Sequence, residues 1–177
     1  MIRYVAFLRG INVSGHKMIK MEDLRSFFEE LPGIRNISTY IQSGNVLFER
    51  AEKDEELLRN DIEQLLAQKL GYEVTCIIRA HSALEKVVKN NPFDTIKTED
   101  KGKLYVTFLA DLPAYDVRGS LGVYSNDAEY ARVVNREVYI YSGNYGKTCF
   151  SNSFIEKKLK LSATTRNWAT VNKLLEL

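Results

Sequence analysis

The sequence predicts an α+β protein of two tandem ferredoxin-like lobes with antiparallel sheets, of the βαββαβ type, followed by a C-terminal helix. In the first half, apolar patterns follow the order strand, helix, strand, strand, helix, strand. A less regular version of this order returns in the second half. The length of 177 residues suits two lobes of about 80 to 95 residues. We therefore assign residues 1–80 to the first lobe and 81–177 to the second.

The elements of the first lobe are predicted from periodicity. Residues 3–9 mix β-branched, aromatic and apolar side chains in alternation and predict a buried strand. Apolar residues at helical spacing predict a helix over 21–31, which ends at a Pro-Gly pair. The S-G-N tripeptide at 43–45 predicts a tight turn between two strands. An apolar stripe predicts a helix over 54–70, and 74–79 form the next strand.

The second lobe begins with a linking helix over about 81–92. After it come, in order, a strand over 104–110, a short helix over 113–121, a hairpin of strands 130–134 and 138–142, and a helix over 153–161. The final strand expected by analogy is missing from the pattern. A terminal helix over about 165–177 replaces it, with Thr164 or Thr165 as its cap.

A short motif hints at duplication of the lobe. Residues 40–45 and 139–144 share the pattern Y-I-x-S-G-N. A common turn sequence that occurs twice by chance explains the same pattern, so both interpretations remain open.

Composition excludes several classes of protein. The 25 Lys and Arg against 23 Asp and Glu give a net charge of +2, which excludes a uniformly basic surface, and the 45% hydrophobic content excludes general disorder. No apolar run approaches the roughly 20 residues of a membrane helix, so we expect no membrane partner. The N-terminus is typical of a strand rather than a signal peptide, which predicts cytoplasmic residence. Two cysteines suit neither a disulfide framework nor a metal site, and the sequence indicates no cofactor.

The first candidate site is the loop after the first strand. Arg9, Gly10, Asn12 and Gly15, with Lys20 beyond them, combine bases with residues whose backbone N–H groups can face an anion. Residues 1–21 contain no acid. The glycine spacing is that of a P-loop, but the Lys-Ser/Thr pair is absent. An ordinary connection between strand and helix remains the alternative.

The second candidate is the predicted start of the last helix, at Thr165, Arg166 and Asn167. A cation in a first turn is locally unfavourable, because the helix dipole favours anions there. Arg166 therefore faces either an external anion or a carboxylate of this protein.

The third candidate is the turn at Gln42, Ser43 and Asn45. Turn chemistry accounts for the Ser and the Asn, so Gln42 is the member that suggests a binding role.

The leading hypothesis is a binding protein in which these three segments form one cationic cleft for an anionic small molecule or a nucleic-acid backbone. A second hypothesis is an enzyme acting on a small phosphorylated or carboxylated metabolite through His16 or Cys149, although catalytic residues cannot be assigned from the sequence. A third is a protein-interaction module that uses sheet edges or an exposed helix face.

Several motifs together resemble the DUF1697 family, small bacterial proteins of unknown function. The matching segments are Y-V-A-F-L-R-G-I-N-V-S-G at 4–15, T-Y-I-Q-S-G-N-V at 39–46, A-T-T-R-N-W at 163–168 and T-V-N-K-L at 170–174. Residues 141–149 differ from the sequence pattern that is more usual in the family. The resemblance implies two ferredoxin-like halves and brings no established activity.

Overall fold

The computed structural model describes residues 1–51, 54–93 and 103–177. The chain divides into two compact units, Met1–Leu84 and Glu85–Leu177.

The first unit is a four-stranded antiparallel sheet with two helices. Its elements are β1 (Ile2–Leu8), α1 (Met21–Glu29), β2 (Arg35–Tyr40), β3 (Asn45–Arg50), α2 (Glu55–Leu70) and β4 (Cys76–Ala80). The strand order β2-β3-β1-β4 is that of a ferredoxin-like lobe, so the predicted fold is confirmed. The next helix, α3 (His81–Lys89), carries the chain into the second unit.

The core of the first unit lies between the sheet and its helices. Tyr4, Ala6 and Leu8 point from β1 into this core, where α1 contributes Phe28 and α2 contributes Ile62. The intervening β1 residues on the opposite face are also buried, which explains why the strand reads as a nearly continuous apolar run.

The second unit repeats the topology. Its elements are β5 (Leu104–Leu109), β6 (Glu129–Val134), β7 (Glu137–Ser142), α4 (Asn152–Leu159), β8 (Ala163–Asn167) and α5 (Trp168–Glu176). The strand order β6-β7-β5-β8 matches the first sheet position by position. Of the helices around this sheet, α5 contacts β5 and β8, and α3 accepts a 2.7 Å hydrogen bond from the Tyr139 hydroxyl at the carbonyl of Val87.

The expectation of a missing last strand is wrong. Strand β8 pairs with β5, with Arg166 opposite Val106. The terminal helix starts at Trp168, and its cap is the side chain of Asn167, which accepts a 2.7 Å hydrogen bond from the N–H of Thr170. The sequence pattern did not predict strand β8 because A-T-T-R-N has no apolar alternation and continues directly into the helix.

The short helix expected over 113–121 is present only as 3₁₀ helix, and no α-helix forms there. Two 3₁₀ turns, Tyr115–Val117 and Gly122–Tyr124, occupy the place that α1 holds in the first unit. Tyr115 and Val123 are exposed, whereas Val117 and Leu121 pack into the core of this unit.

The repeated Y-I-x-S-G-N motif does not mark equivalent positions. Residues 40–45 end β2 and form the turn into β3, whereas 139–144 end β7. By register, Leu47 and Tyr139 are the equivalent pair, since they lie opposite Val5 and Val106. The repeat in this chain is therefore one of topology, and the shared letters are a coincidence.

Candidate functional site

The loop between β1 and α1 is a chain of left-handed residues. Gly10 and Gly15 have φ of 70° and 77°, and Asn12, Ser14 and Lys17 have φ close to 50°. The loop closes on itself through hydrogen bonds from Asn12 N–H to the carbonyl of Lys17, 3.1 Å, and from His16 N–H to the carbonyl of Val13, 2.9 Å. Its glycines, Asn and Ser are the residue types that tolerate this backbone at least cost.

Asn12 joins this loop to the turn between β2 and β3. Its amide nitrogen donates to the carbonyls of Ile19, at 3.0 Å, and of Gln42, at 2.8 Å. Its side-chain oxygen accepts from Ile19 N–H at 2.7 Å. The first and third candidate segments therefore lie together, and we call residues 9–20 and 41–45 the loop–turn surface.

The turn itself is fixed by close packing. Asn45 is fully buried, and its amide donates to the Tyr40 carbonyl at 2.9 Å and to the Ser43 hydroxyl at 3.0 Å. Gly44 accepts a 2.8 Å hydrogen bond from Leu8 N–H at its carbonyl. Asn45 is thus a structural member of the surface, whereas Gln42 and Ser43 are exposed on it.

The charges on the loop–turn surface are mostly positive. Arg9 is half-buried and Lys20 is exposed at the start of α1, where its side chain makes no capping bond. Lys17 donates to the Glu73 carbonyl at 3.0 Å and lies 5.0 Å from the centre of the Tyr72 ring. The acids nearest in sequence are Glu22 and Asp23, both exposed in the first turn of α1, where the helix dipole favours them.

The second candidate segment belongs to the second unit. Arg166 is 7% exposed, and its guanidinium donates to the Thr164 hydroxyl and the Thr165 carbonyl, both at 2.9 Å. The Thr165 hydroxyl bonds Thr107 at 2.7 Å and Asn152 at 2.6 Å. Because Arg166 lies in a strand, the premise of a cation in a helix first turn is wrong.

Sequence reasoning missed a second buried arginine. Arg79 is 1% exposed and donates to the Ile78 carbonyl at 2.8 Å, as Arg166 does to the residue before it. Arg79 lies opposite Val5 just as Arg166 lies opposite Val106. The available signal was a charged residue inside an apolar strand, C-I-I-R-A.

Cys149 has the environment of a structural thiol. Burial, followed by a hydrogen bond and the negative charge of Glu129, raises the pKa of Cys149 to about 11. A nucleophilic cysteine needs the opposite shift. The Glu129 carboxylate accepts from the Thr148 hydroxyl at 2.6 Å and from Cys149 N–H at 3.2 Å. This arrangement disfavours catalysis by Cys149.

One concave pocket, of about 340 Å³, lies beside α2 and the segment before β4. It is lined by Asn60, Glu63, Gln64, Ala67, Glu73, Val74 and Thr75. Its two carboxylates make it a poor match for an anion. Within residues 1–51, 54–93 and 103–177, no three His, Cys, Asp or Glu side chains are placed to hold a metal ion.

A fold of two ferredoxin-like lobes, with a basic loop fixed against a turn in the first, defines the class to which this chain belongs. The model of a family described as "Protein of unknown function (DUF1697)" matches residues 1–139, and the chain belongs to that family. No curated protein matches the chain. Among the helices of the described residues, none is long and apolar enough to cross a membrane.

A solved structure has the same fold. It is the conserved bacterial protein SP0830 from Streptococcus pneumoniae, which is 19% identical, with a TM-score of 0.72 over 99% of this chain and 97% of that one. At this identity the likeness extends to the fold alone.

Proposed function

We propose that this protein binds an anionic ligand, a phosphate-bearing small molecule or a nucleic-acid backbone, at the loop–turn surface of its first unit. The observation that carries the proposal is the junction at Asn12, whose amide bonds both Ile19 and Gln42 and so fixes the basic loop against the turn. Two candidate segments, selected from separate features of the sequence, are thus joined by one side chain in addition to the packing of Gly44 on Ile11.

The proposed binding groups divide by role. Arg9 and Lys20 supply positive charge, and the exposed left-handed glycines, Gly10 and Gly15, leave the backbone open to a ligand. Gln42 and Ser43 add exposed polar side chains. Asn12 and Asn45 are positioning residues, because their amides bond the backbone of the surface itself.

Thr165, Arg166 and Asn167 are not needed by the proposal. Thr165 bonds Thr107 and Asn152, and Asn167 caps α5. The contribution of Arg166 to a ligand stays a prediction, and a test is given in the Discussion. We also propose cytoplasmic residence, on the strand-like N-terminus.

The test is a set of titrations followed by backbone amide NMR, with inorganic phosphate, ATP and a short single-stranded RNA as probes. We expect the largest shifts at residues 10–19 and 41–44. Lys20→Gln should lower the slope of log K against log salt by about 0.7 for the RNA, because one phosphate contact is lost. Lys86→Gln, which removes an exposed lysine from α3, is the matched control and should leave that slope unchanged.

Two results would overturn the proposal. One is the absence of binding by every anionic probe at low salt. The other is an equal effect of Lys20→Gln and Lys86→Gln, since binding would then follow net charge and not this surface.

A further inference from the structure

Three exposed aliphatic side chains surround the polar junction of the loop–turn surface. Val13 is 56% exposed, Met18 63% and Ile41 47%. Each is next in the chain to a residue of that junction, since Val13 follows Asn12, Met18 precedes Ile19 and Ile41 precedes Gln42. Single exposed aliphatic residues are ordinary, but here three are each one residue away from a single hydrogen-bonded junction, which concentrates apolar side chains on this surface.

The backbone at Ile41 adds a second observation. Its φ is 50°, in the left-handed region where a β-branched residue is an outlier. Asn or Gly would suit this turn position better, and about half of the surface of Ile41 stays exposed. A strained residue that leaves half of an aliphatic side chain exposed is consistent with a contact made outside the chain.

The patch lies among cations. Arg9, Lys17 and Lys20 belong to the same surface, and residues 1–21 contain no acid. The nearest carboxylates in sequence, Glu22 and Asp23, begin α1. A partner must therefore offer negative charge together with an apolar phase.

We propose that the anion met by the loop–turn surface is the phosphate of phospholipid headgroups at a bilayer surface, and this inference rests on the proposed function. The aliphatic side chains Val13, Met18 and Ile41 enter the boundary between headgroups and acyl chains, while Arg9 and Lys20 meet lipid phosphates. Such a protein lies on a membrane without spanning it, so the absence of a membrane helix in the sequence does not bear on this contact.

A nucleic acid fits the patch less well. Single-stranded bases are held mainly by stacking on aromatic rings, with arginine planes as a second platform. Residues 9–20 and 41–45 contain no Phe, Tyr or Trp, and the ring systems at this surface are His16 and the Tyr72 ring beside Lys17. Aliphatic side chains beside cations suit an anionic bilayer, which offers an acyl boundary to the former and phosphates to the latter.

The experiment is co-sedimentation of the full chain with vesicles of phosphatidylcholine, alone or mixed with phosphatidylglycerol, at low and high salt. We expect binding only to the mixed vesicles, weakened by salt. Lys20→Gln should weaken binding about fivefold, the effect of one basic side chain at an anionic surface. Met18→Ser should weaken vesicle binding about tenfold, because each methylene group removed from the acyl boundary lowers the binding constant about fourfold.

Ile41→Asn separates binding from folding. Asn accepts the left-handed backbone, so the variant should keep or raise the melting temperature while vesicle binding falls. Leu57→Ser is the matched control, because Leu57 is a similarly exposed aliphatic residue on α2. It should leave vesicle binding unchanged.

The outcomes separate this inference from the proposed function. Binding of RNA or phosphate without binding to mixed vesicles overturns the lipid inference alone. So does vesicle binding that Met18→Ser and Ile41→Asn leave intact. Failure of phosphate, ATP, RNA and mixed vesicles alike overturns both.

Discussion

Gly44 is the residue at which the turn and the loop come closest. Its φ is 79°, and a Cβ placed on it would lie 2.7 Å from Ile11 Cδ1 and 2.9 Å from Leu8 Cβ. Gly44→Ala should therefore lower the free energy of unfolding for two reasons. The left-handed backbone costs roughly 1–2 kcal/mol, and the overlap of the added Cβ costs ~1–3 kcal/mol. Urea unfolding measures this loss directly.

Gly33→Ala is the matched control for Gly44. Gly33 has φ of 77°, with nothing within 4 Å of an added Cβ. This variant should lose only the backbone contribution. Equal losses in the two variants would show that the turn is not packed against Ile11.

Glu129 affects both the stability of the protein at acid pH and the pKa of Cys149. Partial burial raises the pKa of Glu129, but hydrogen bonds from Thr148, Cys149 and Ser142 outweigh it and hold the pKa below its ordinary value of 4.5. The stabilisation is therefore present above pH 4.5 and is lost as the pH falls through the lower folded value. Glu129→Gln should cost about 1–2 kcal/mol at pH 7, and much less at acid pH where Glu129 is protonated.

The same substitution should change the thiol. With the charge of Glu129 removed, the pKa of Cys149 falls and alkylation by iodoacetamide at pH 8 becomes faster. Glu85→Gln, a change of equal charge on α3, is the control. An unchanged alkylation rate in Glu129→Gln would contradict the assigned cause of the raised pKa.

Residue types in the sequence indicated where the polar side chains of the candidate sites lie, but not which groups those side chains hydrogen-bond. Asn12, Asn45 and Asn167 were all selected from the sequence as ligand groups, and all three bond the backbone of their own unit. A side-chain amide that accepts a helix N–H is indistinguishable by sequence from one that accepts a ligand. The location of the loop and turn was predictable, and the partner of each amide was not.

At the scale of elements, one edge strand of each sheet is bound at its first residue by a helix carboxylate. Glu63 of α2 accepts a hydrogen bond from Cys76 N–H at 2.7 Å, and Glu156 of α4 accepts one from Ala163 N–H at 2.9 Å. Cys76 and Ala163 begin β4 and β8, which are edge strands. These contacts block strand addition and weigh against an interaction module that docks at those edges.

Glu63→Ala should therefore expose the β4 edge. We expect a loss of about 1–2 kcal/mol, because Cys76 N–H loses its acceptor, and greater light scattering on mild heating. Glu63→Gln keeps an oxygen in place and should retain most of the stability. If the Ala and Gln variants behave alike, the hydrogen bond does not protect the edge.

The elements of the first unit could be predicted because strands and helices there have uninterrupted apolar periods. Two elements of the second unit could not. Strand β8 is stabilised by pairing with β5 in spite of its polar sequence, and the segment before β6 packs Val117 and Leu121 into the core from 3₁₀ turns rather than from an α-helix. Both outcomes depend on contacts distant in sequence, which override local propensity.

At the scale of the whole molecule, the repeated topology carries equivalent contacts in the two units. Each unit places an arginine fourth in its last strand, opposite a buried valine of the central strand, with its guanidinium on the preceding carbonyl. The same repeat applies to the edge carboxylates Glu63 and Glu156. A structural role for both arginines predicts this recurrence, because the second of these contacts occurs in a unit other than the one with the loop–turn surface.

Arg79→Met and Arg166→Met test that reading against a ligand role for Arg166. If both arginines are structural, each variant should lose about 2–4 kcal/mol, because methionine fills the space but leaves buried oxygens without donors. Anion binding at the loop–turn surface should persist in both, at temperatures where they remain folded. A lower anion affinity in Arg166→Met alone, with an unchanged free energy of unfolding, would instead assign Arg166 to the ligand. Removal of a purely structural contact would lower the free energy of unfolding of that variant.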